Sequence, residues 1–242
     1  MLYYMHVPKT AGTSLRLLLA EKVYAGRLRE IYLDYGYWNV PALRAQVGRG
    51  DVLYGHFSYG FHALLGDTAP RYVTVLRHPV ERVVSLYWHH HRLPQAPLHA
   101  AIHAEGLDIA GFVERQLTEE SNNHMVRMLA ARYSRGRRWR EIAGNRLHRA
   151  LTGRPVRPLR TRLQLYRALR NLKRSFAFVG RTEDLDGLLD FIAHDSGLER
   201  SCLTLGHENV QRPGGFVLRD RDRRAIENAN ELDLDLYQRL FG

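Results

Sequence analysis

The chain is poor in cysteine and in long hydrophobic runs, and each shortage excludes a class of protein. Cys202 is the one cysteine among 242 residues, so no disulfide forms within the chain and packing must hold the fold together. No apolar run reaches the length of a membrane-spanning helix. The first ten residues have neither the basic start nor the apolar core of a secretory signal. We therefore expect a cytoplasmic protein with no transmembrane segment.

Negative charge is also scarce. The chain has 36 Lys and Arg against 25 Asp and Glu, a formal net charge of +11, and only three of the basic residues are lysines. An excess of this size predicts an anionic partner, and nucleic acid, a membrane surface, an anionic polymer and a phosphorylated small molecule all qualify. Composition does not choose among them.

The excess is concentrated in residues 132–174, which contain fifteen Arg or Lys and a single acid, Glu141. We interpret this segment as an Arg-rich insertion or surface segment. Three roles are open for it: a solvated surface, a clamp for an anionic polymer, or a patch that binds nucleic acid. Nucleic-acid binding favours exposed aromatics between the basic residues, and only Tyr133, Trp139 and Tyr166 lie here. We expect no nucleic acid, and favour a solvated surface or contact with an acidic acceptor.

Short β-branched and aromatic runs alternate with stretches of helical period, which predicts an α/β fold with a mainly parallel sheet flanked by helices. The predicted strands are residues 2–6, 51–54, 72–76 and 176–179. Helices are predicted after Ser14, from Pro79, from Thr182 and over residues 219–240. Without a clear linker or repeat, residues 1–242 are interpreted as one domain.

The loop that follows the first predicted strand, His6-Val-Pro-Lys9-Thr-Ala-Gly12-Thr-Ser14, has the composition of an anion site. A helix that starts after a buried strand offers unpaired N–H groups and the positive end of its dipole. Gly12 allows the main chain close to a phosphate, and Lys9 adds a mobile positive charge. The alternative is a plain helix start capped by Thr10 or Thr13, with Lys9 solvated. The loop is not a Walker A motif, because Lys9 precedes Gly12 and no earlier glycine exists.

A second group of polar residues follows the strand at residues 72–76. Arg77 comes directly after that strand, and Ser85 lies two turns into the next predicted helix. Ligands of open α/β sheets bind at the carboxyl ends of strands, so both side chains could converge on one anion beside the first loop. The alternative is that neither residue binds an anion. Arg77 would then pair with Glu81 at the end of the strand, and Ser85 would be a small residue packed within its helix.

These two segments resemble the donor-binding segments of sulfotransferases that use 3′-phosphoadenosine 5′-phosphosulfate (PAPS), particularly the carbohydrate enzymes related to uronyl and heparan sulfate 2-O-sulfotransferases. Weaker resemblance extends to Asn123-His-Met-Val-Arg127-Met-Leu129, to Phe178-Val-Gly-Arg-Thr182-Glu183, to Glu208-Asn-Val210, and to Leu232-Asp233 with Leu236-Tyr237. The resemblance implies a P-loop-like sulfotransferase fold, PAPS as sulfuryl donor, no metal, and sulfation of an acceptor hydroxyl, on a saccharide that could be anionic. It also implies that Arg77 and Ser85 hold the 3′-phosphate, and that the 5′-phosphosulfate is held by Lys9, Thr10, Ala11, Gly12, Thr13 and Ser14.

Sulfuryl transfer by in-line displacement needs a base for the acceptor proton and positive charge near the leaving oxygen. His56 follows the second predicted strand and would face the same crevice as Lys9 and Arg77. The resembled 2-O-sulfotransferases carry a catalytic histidine in a similar Gly-His segment. We therefore assign His56 as the base and Lys9 as the group that stabilises the leaving oxygen; His6 and His62 remain rivals for the base, and other branches use a glutamate.

Two other function classes stay open. A nucleotide-dependent phosphotransferase on a related fold would need magnesium-binding carboxylates near the loop, for which Asp51 is the candidate. A non-catalytic basic protein that binds nucleic acid would show steep salt dependence.

Overall fold

A computed structural model of the protein describes residues 1–32, 40–131, 161–206 and 213–242. In these ranges the protein is α/β, with a five-stranded, all-parallel sheet flanked by helices, as the sequence predicts. The sheet order is β2-β3-β1-β4-β5, which is consistent with a P-loop-like fold. The strands are β1 (Leu2–Met5), β2 (Leu28–Ile31), β3 (Val52–Gly55), β4 (Arg71–Leu76) and β5 (Phe176–Arg181).

Helices lie between the strands and follow the last one. In chain order they are α1 (Gly12–Leu18, continued by a π-helical turn over Leu19–Val23), α2 (Val40–Gln46), α3 (Phe61–Leu65), α4 (Pro79–Arg92), α5 (His99–Ala104), α6 (Ile109–Arg115), α7 (His124–Ala130), α8 (Arg162–Ser175), α9 (Asp186–Ser196), α10 (Asp220–Ala229) and α11 (Glu231–Phe241). Helix α4 begins at Pro79. Proline is favoured at the first position of a helix because its φ is fixed near the helical value and its missing N–H would have no partner there. No helix among the described residues is long and apolar enough to span a bilayer.

The chain divides into two compact units. The first contains residues 1–77, 128–132 and 167–210, and therefore the whole sheet. The second contains residues 78–127, 133–166 and 211–242. The interpretation of residues 1–242 as one domain remains a prediction.

The three central strands of the sheet, β1, β3 and β4, are buried on both faces. On one face Tyr4 and Val73 pack with Leu15 of α1 and Ile192 of α9. On the other face Tyr3 stacks on Tyr72, with ring centroids 4.9 Å apart, and Phe57 stacks on Phe61 of α3. Burial on both faces explains why β1, β3 and β4 are continuous apolar runs.

The strand order places a crevice at the carboxyl end of the sheet. The chain leaves β1 towards β2 on one side and leaves β4 towards β5 on the other, while β1 and β4 are neighbours. Ligands of open parallel sheets bind where connections diverge in this way. The residues that follow β1, β3 and β4 therefore surround the expected binding position.

The second unit is helical in its described part. Val83 and Tyr87 of α4 pack with Phe112 of α6 and Ile226 of α10 in one apolar cluster. Tyr87 also donates a hydrogen bond from its hydroxyl to the Leu107 carbonyl, at 3.0 Å, so its polar end is satisfied at the cluster's edge.

Two expectations about helices were wrong, and one strand was missed. The helix predicted over residues 219–240 is two helices, because Asn230 leaves helical geometry (φ −126°, ψ 31°) and its side-chain amide donates to the carbonyls of Ser121 and Ile226. The helix expected from Thr182 begins at Asp186, because the Thr182 N–H still bonds the Leu76 carbonyl of the sheet. Strand β2 was not predicted, because as an edge strand it exposes Arg29 and Glu30.

Candidate functional site

The loop after β1 turns sharply before α1 begins. Lys9 and Ala11 both have positive φ, at 71° and 58°, and Ala11 is the N-cap residue of α1. No side chain caps this helix, and the Thr10 hydroxyl instead donates to the Val7 carbonyl at 2.7 Å. The alternative in which Thr10 or Thr13 caps the helix is therefore not what the structure contains. Left-handed residues in a loop and an uncapped helix start are features of anion-binding nests.

Gly12 is required for a reason that its sequence context does not reveal. A Cβ at this position would lie 1.8 Å from Cε1 and 1.9 Å from Nε2 of His6. The ring of His6 therefore lies directly against the main chain of the loop. Steric exclusion by a neighbouring side chain, rather than ligand approach alone, fixes glycine here.

The two turns singled out in the sequence meet. Arg77, at the carboxyl end of β4, donates from Nη1 to the main-chain carbonyl of Lys9 at 3.3 Å. Both side chains are half-buried. The guanidinium group therefore lies beside the loop after β1, and two basic residues border the same crevice. Their roles towards a ligand remain predictions.

His56 lies at the same edge, one residue after β3. Its Nδ1 lies 3.0 Å from the main-chain carbonyl oxygen of His6, and since a carbonyl only accepts, Nδ1 carries the proton in this bond. In that neutral tautomer Nε2 holds the lone pair, as a general base requires. The exposed Tyr32 places its ring edge-on to His56 at 5.2 Å. The aromatic residues that follow it closely in the chain, Tyr35, Tyr37 and Trp38, lie outside the described residues.

Strand β3 also holds the loop in place. The Tyr54 hydroxyl donates to the Gly12 carbonyl at 2.7 Å, and the His6 N–H bonds the Gly55 carbonyl at 2.9 Å. A Cβ at Gly55 would lie 1.8 Å from the Ile31 carbonyl oxygen, so only glycine allows β2 and β3 to approach here. The role of Tyr54 was not predicted, because the apolar pattern of β3 does not indicate that one of its hydroxyls bonds a neighbouring loop.

The structure separates His56 from its two rivals. Both ring nitrogens of His6 are buried, and burial, followed by the nearby charges of His56 and Lys9, lowers the His6 pKa well below its ordinary value. His62 bonds the hydroxyl of Tyr72 through Nδ1 at 2.9 Å. Tyr72 lies at the start of β4, at the opposite end of the strand from Arg77. His56 is therefore the histidine of the three that suits a base at the carboxyl edge.

Asp51 lies at the wrong end of the sheet to serve the loop. It precedes β3, and its carboxylate accepts from the Gly48 N–H at 2.9 Å and from Arg29 at 3.4 Å. The phosphotransferase alternative predicted a carboxylate near Lys9, and Asp51 is not placed there.

Ser85 lies on α4 and is half-buried. It belongs to the second unit, and the 3′-phosphate role that the resemblance implies for it remains a prediction.

The weaker blocks of resemblance have structural partners where they are described. Arg127 donates to the carbonyl of Asn122 at 3.1 Å and pairs with the carboxylate of Glu119 at 2.7 Å. Residues 208–210 lie outside the described residues, as do residues 132–160 of the Arg-rich segment. The rest of that segment forms most of α8, on which Leu163 and Tyr166 are exposed.

No protein-family model matches the chain, and no curated protein matches it.

Proposed function

We propose that the protein is a PAPS-dependent sulfotransferase that transfers a sulfuryl group to an acceptor hydroxyl, on a saccharide. The observation that carries the proposal is the contact between Arg77 and Lys9. It brings together, at one edge of the sheet, the two turns that resemble the donor-binding segments of this family. A donor with phosphate groups at two ends of an adenosine needs two such basic turns.

The residues at this edge suit the donor. The loop has left-handed backbone at Lys9 and Ala11, as phosphate-binding nests do, and the Lys9 side chain adds the charge that a phosphosulfate requires. Arg77 supplies forked donors, which match a phosphate better than a point charge does. The hydroxyls of Thr13, which is exposed, and Ser14, which is half-buried, are further donors on the same helix start. When bound, PAPS supplies the activated sulfuryl group.

His56 removes the acceptor proton in this proposal. Its Nδ1–H is held by the His6 carbonyl, so Nε2 accepts the proton while the acceptor oxygen forms its bond to sulfur. The imidazolium that results stays bonded through Nδ1. Lys9 stabilises the negative charge that develops on the bridging oxygen as the bond from that oxygen to sulfur breaks and adenosine 3′,5′-bisphosphate leaves, and no metal is needed for that task.

The decisive experiment incubates the full chain with ³⁵S-labelled PAPS and a panel of saccharide, phenol and lipid hydroxyls, with EDTA present and absent. We expect transfer to a hydroxyl in both conditions, with the product identified by mass. The matched control is Lys9→Ala, which should lose about 10²-fold in turnover. Transfer from labelled ATP and none from PAPS would refute the proposal.

A further inference from the structure

The ring of His6 is stacked on two other rings in the first unit. Its centroid is 5.5 Å from that of Tyr54, with planes 23° apart, and 4.6 Å from that of His56, with planes 28° apart. Its edge lies against Gly12, since a Cβ at that position would overlap Cε1 and Nε2. His6 therefore contacts both the loop after β1, at Gly12, and the candidate base, His56.

Among the residues that the structure describes, the His6 ring has no hydrogen-bond partner. Nδ1 and Nε2 are both buried and unpartnered there, although imidazole normally donates from one nitrogen and accepts at the other. Two hydroxyls of the pocket beside it are engaged elsewhere: Thr10 donates to Val7 and Thr74 donates to Met5, at 2.7 and 2.8 Å. A buried polar side chain without partners is uncommon and requires an explanation.

The His6 side chain contributes a flat surface against which His56 packs. The His6 main chain already fixes His56, because its carbonyl accepts the Nδ1–H. That bond sets the distance between the two residues, and stacking on a flat neighbour orients the plane of the His56 ring. An aliphatic side chain would fill the space without setting a plane.

We propose that His6 is a positioning residue whose flat, uncharged ring fixes the plane of His56 and its distance from the loop at Gly12. The inference rests on the proposed function only for what His56 does; the positioning itself is a property of the folded chain. The charged form of His6 is disfavoured by its dry surroundings, by Lys9 and by His56. The other titratable groups around the ring are Tyr54 and, across the pocket, Tyr4.

The test compares His6→Phe, which keeps a flat ring, with His6→Leu, which does not, and uses His62→Phe as a matched control at the other end of the sheet. Long-range ¹H–¹⁵N NMR of the histidine rings, from pH 5 to 8, gives the tautomer and the titration of His56 in each folded variant. Turnover with PAPS and affinity for adenosine 3′,5′-bisphosphate are measured in parallel.

In the native protein we expect His6 to stay neutral across this range and His56 to be the Nδ1–H tautomer when neutral. His6→Phe and His62→Phe should keep that tautomer and the native titration of His56. His6→Leu should shift both, and should lower kcat about 10- to 100-fold with KM little changed, as misplacement of a reacting group does.

The outcomes separate the two proposals. A native His6 that titrates between pH 5 and 8 would overturn the positioning role, and this measurement does not depend on any variant folding. A native His56 tautomer and titration in His6→Leu would overturn it too. Absence of sulfuryl transfer by the native protein would instead remove the proposed function and leave the NMR result intact.

Discussion

Asn123 and Asp233 cap each other's helices. The Asn123 Oδ1 accepts the N–H groups of Leu232 and Asp233, at 2.8 and 3.1 Å, where α11 begins. The Asp233 carboxylate accepts the N–H groups of Met125 and Val126, at 3.1 and 2.8 Å, where α7 begins. Each side chain thus satisfies two of the donors that a helix start leaves unpaired. Residues 123–129 and Leu232-Asp233, two segments in which the chain resembles the family, are therefore joined by these four hydrogen bonds.

Removing this link should cost stability. Asp233 is buried, so Asp233→Ala leaves two buried N–H groups unpaired and should lower the free energy of unfolding by about 2–4 kcal/mol. Asp233→Asn keeps one acceptor oxygen and should lose less. The matched control is Asp235→Ala on the same helix, which removes a surface ion pair with Arg239. It should change the free energy of unfolding by less than about 1 kcal/mol. Urea unfolding followed by circular dichroism measures all three, and equal losses at positions 233 and 235 would contradict the capping role.

Adjacent positions in the loop should respond in opposite ways to a change in side-chain size. Ala11 has φ 58°, so Ala11→Gly relieves a left-handed strain and should be neutral or stabilising by about 1 kcal/mol. Gly12→Ala places a Cβ within the His6 ring and should lower both the melting temperature and the affinity for adenosine 3′,5′-bisphosphate. Adding His6→Ala to Gly12→Ala should restore part of the melting temperature. Calorimetry of these three variants and of His6→Ala alone tests this, and an additive double variant would argue against the contact.

Loss of the candidate base should affect turnover more than binding. His56→Ala should reduce kcat with PAPS about 10²-fold or more, since general-base catalysis contributes that range. His62→Ala, at the opposite end of the sheet, should keep kcat within about threefold, because its ring bonds Tyr72 and not the crevice. Steady-state kinetics decides, and a His56→Ala enzyme at native turnover would remove His56 from the mechanism.

The two arginines that flank β4 provide a matched pair. Arg77→Ala should weaken binding of adenosine 3′,5′-bisphosphate about 10-fold or more, as loss of a charged hydrogen bond does. Arg71→Ala removes the same side chain at the other end of the strand, where it is exposed and pairs with Asp195. Its binding affinity should stay within about twofold of native. Isothermal titration compares them, and equal affinities would place the 3′-phosphate elsewhere.

Burial of the His6 ring predicts a dependence of stability on pH. Because its folded pKa is lowered well below the ordinary value, the unfolded chain binds the extra proton first, so stability is lost as the pH falls through about 6.5. Between pH 7.5 and 5.5 this single group should account for about 1.4 kcal/mol of the fall in the free energy of unfolding.

His6→Phe lacks the titrating nitrogens and should show a correspondingly smaller fall over the same interval. Urea unfolding at the two pH values, in parallel with the native protein, measures the difference. An identical fall in both proteins would mean that the ring is charged or exposed in the folded state.

The strands of the central sheet were predictable because they are buried on both faces. β1 and β4 are continuous apolar runs, and their identity follows from local composition. Edge strand β2 was not, because Arg29 and Glu30 face solvent and the segment lacks that signature. The break at Asn230 was also hidden, since its cause is a set of hydrogen bonds with residues more than a hundred positions away.

By itself the sequence determined the α/β class, the basic character of the protein, and the two turns with Lys9 and Arg77, because strand burial, charge and glycine-containing turns are local properties. Only the tertiary structure decided that Arg77 touches the Lys9 main chain, that His6 fills the space beside Gly12, and that His56 rather than His62 lies at the carboxyl edge. These are distances between residues far apart in the chain. They are set by the order and register of parallel strands, which no short segment encodes.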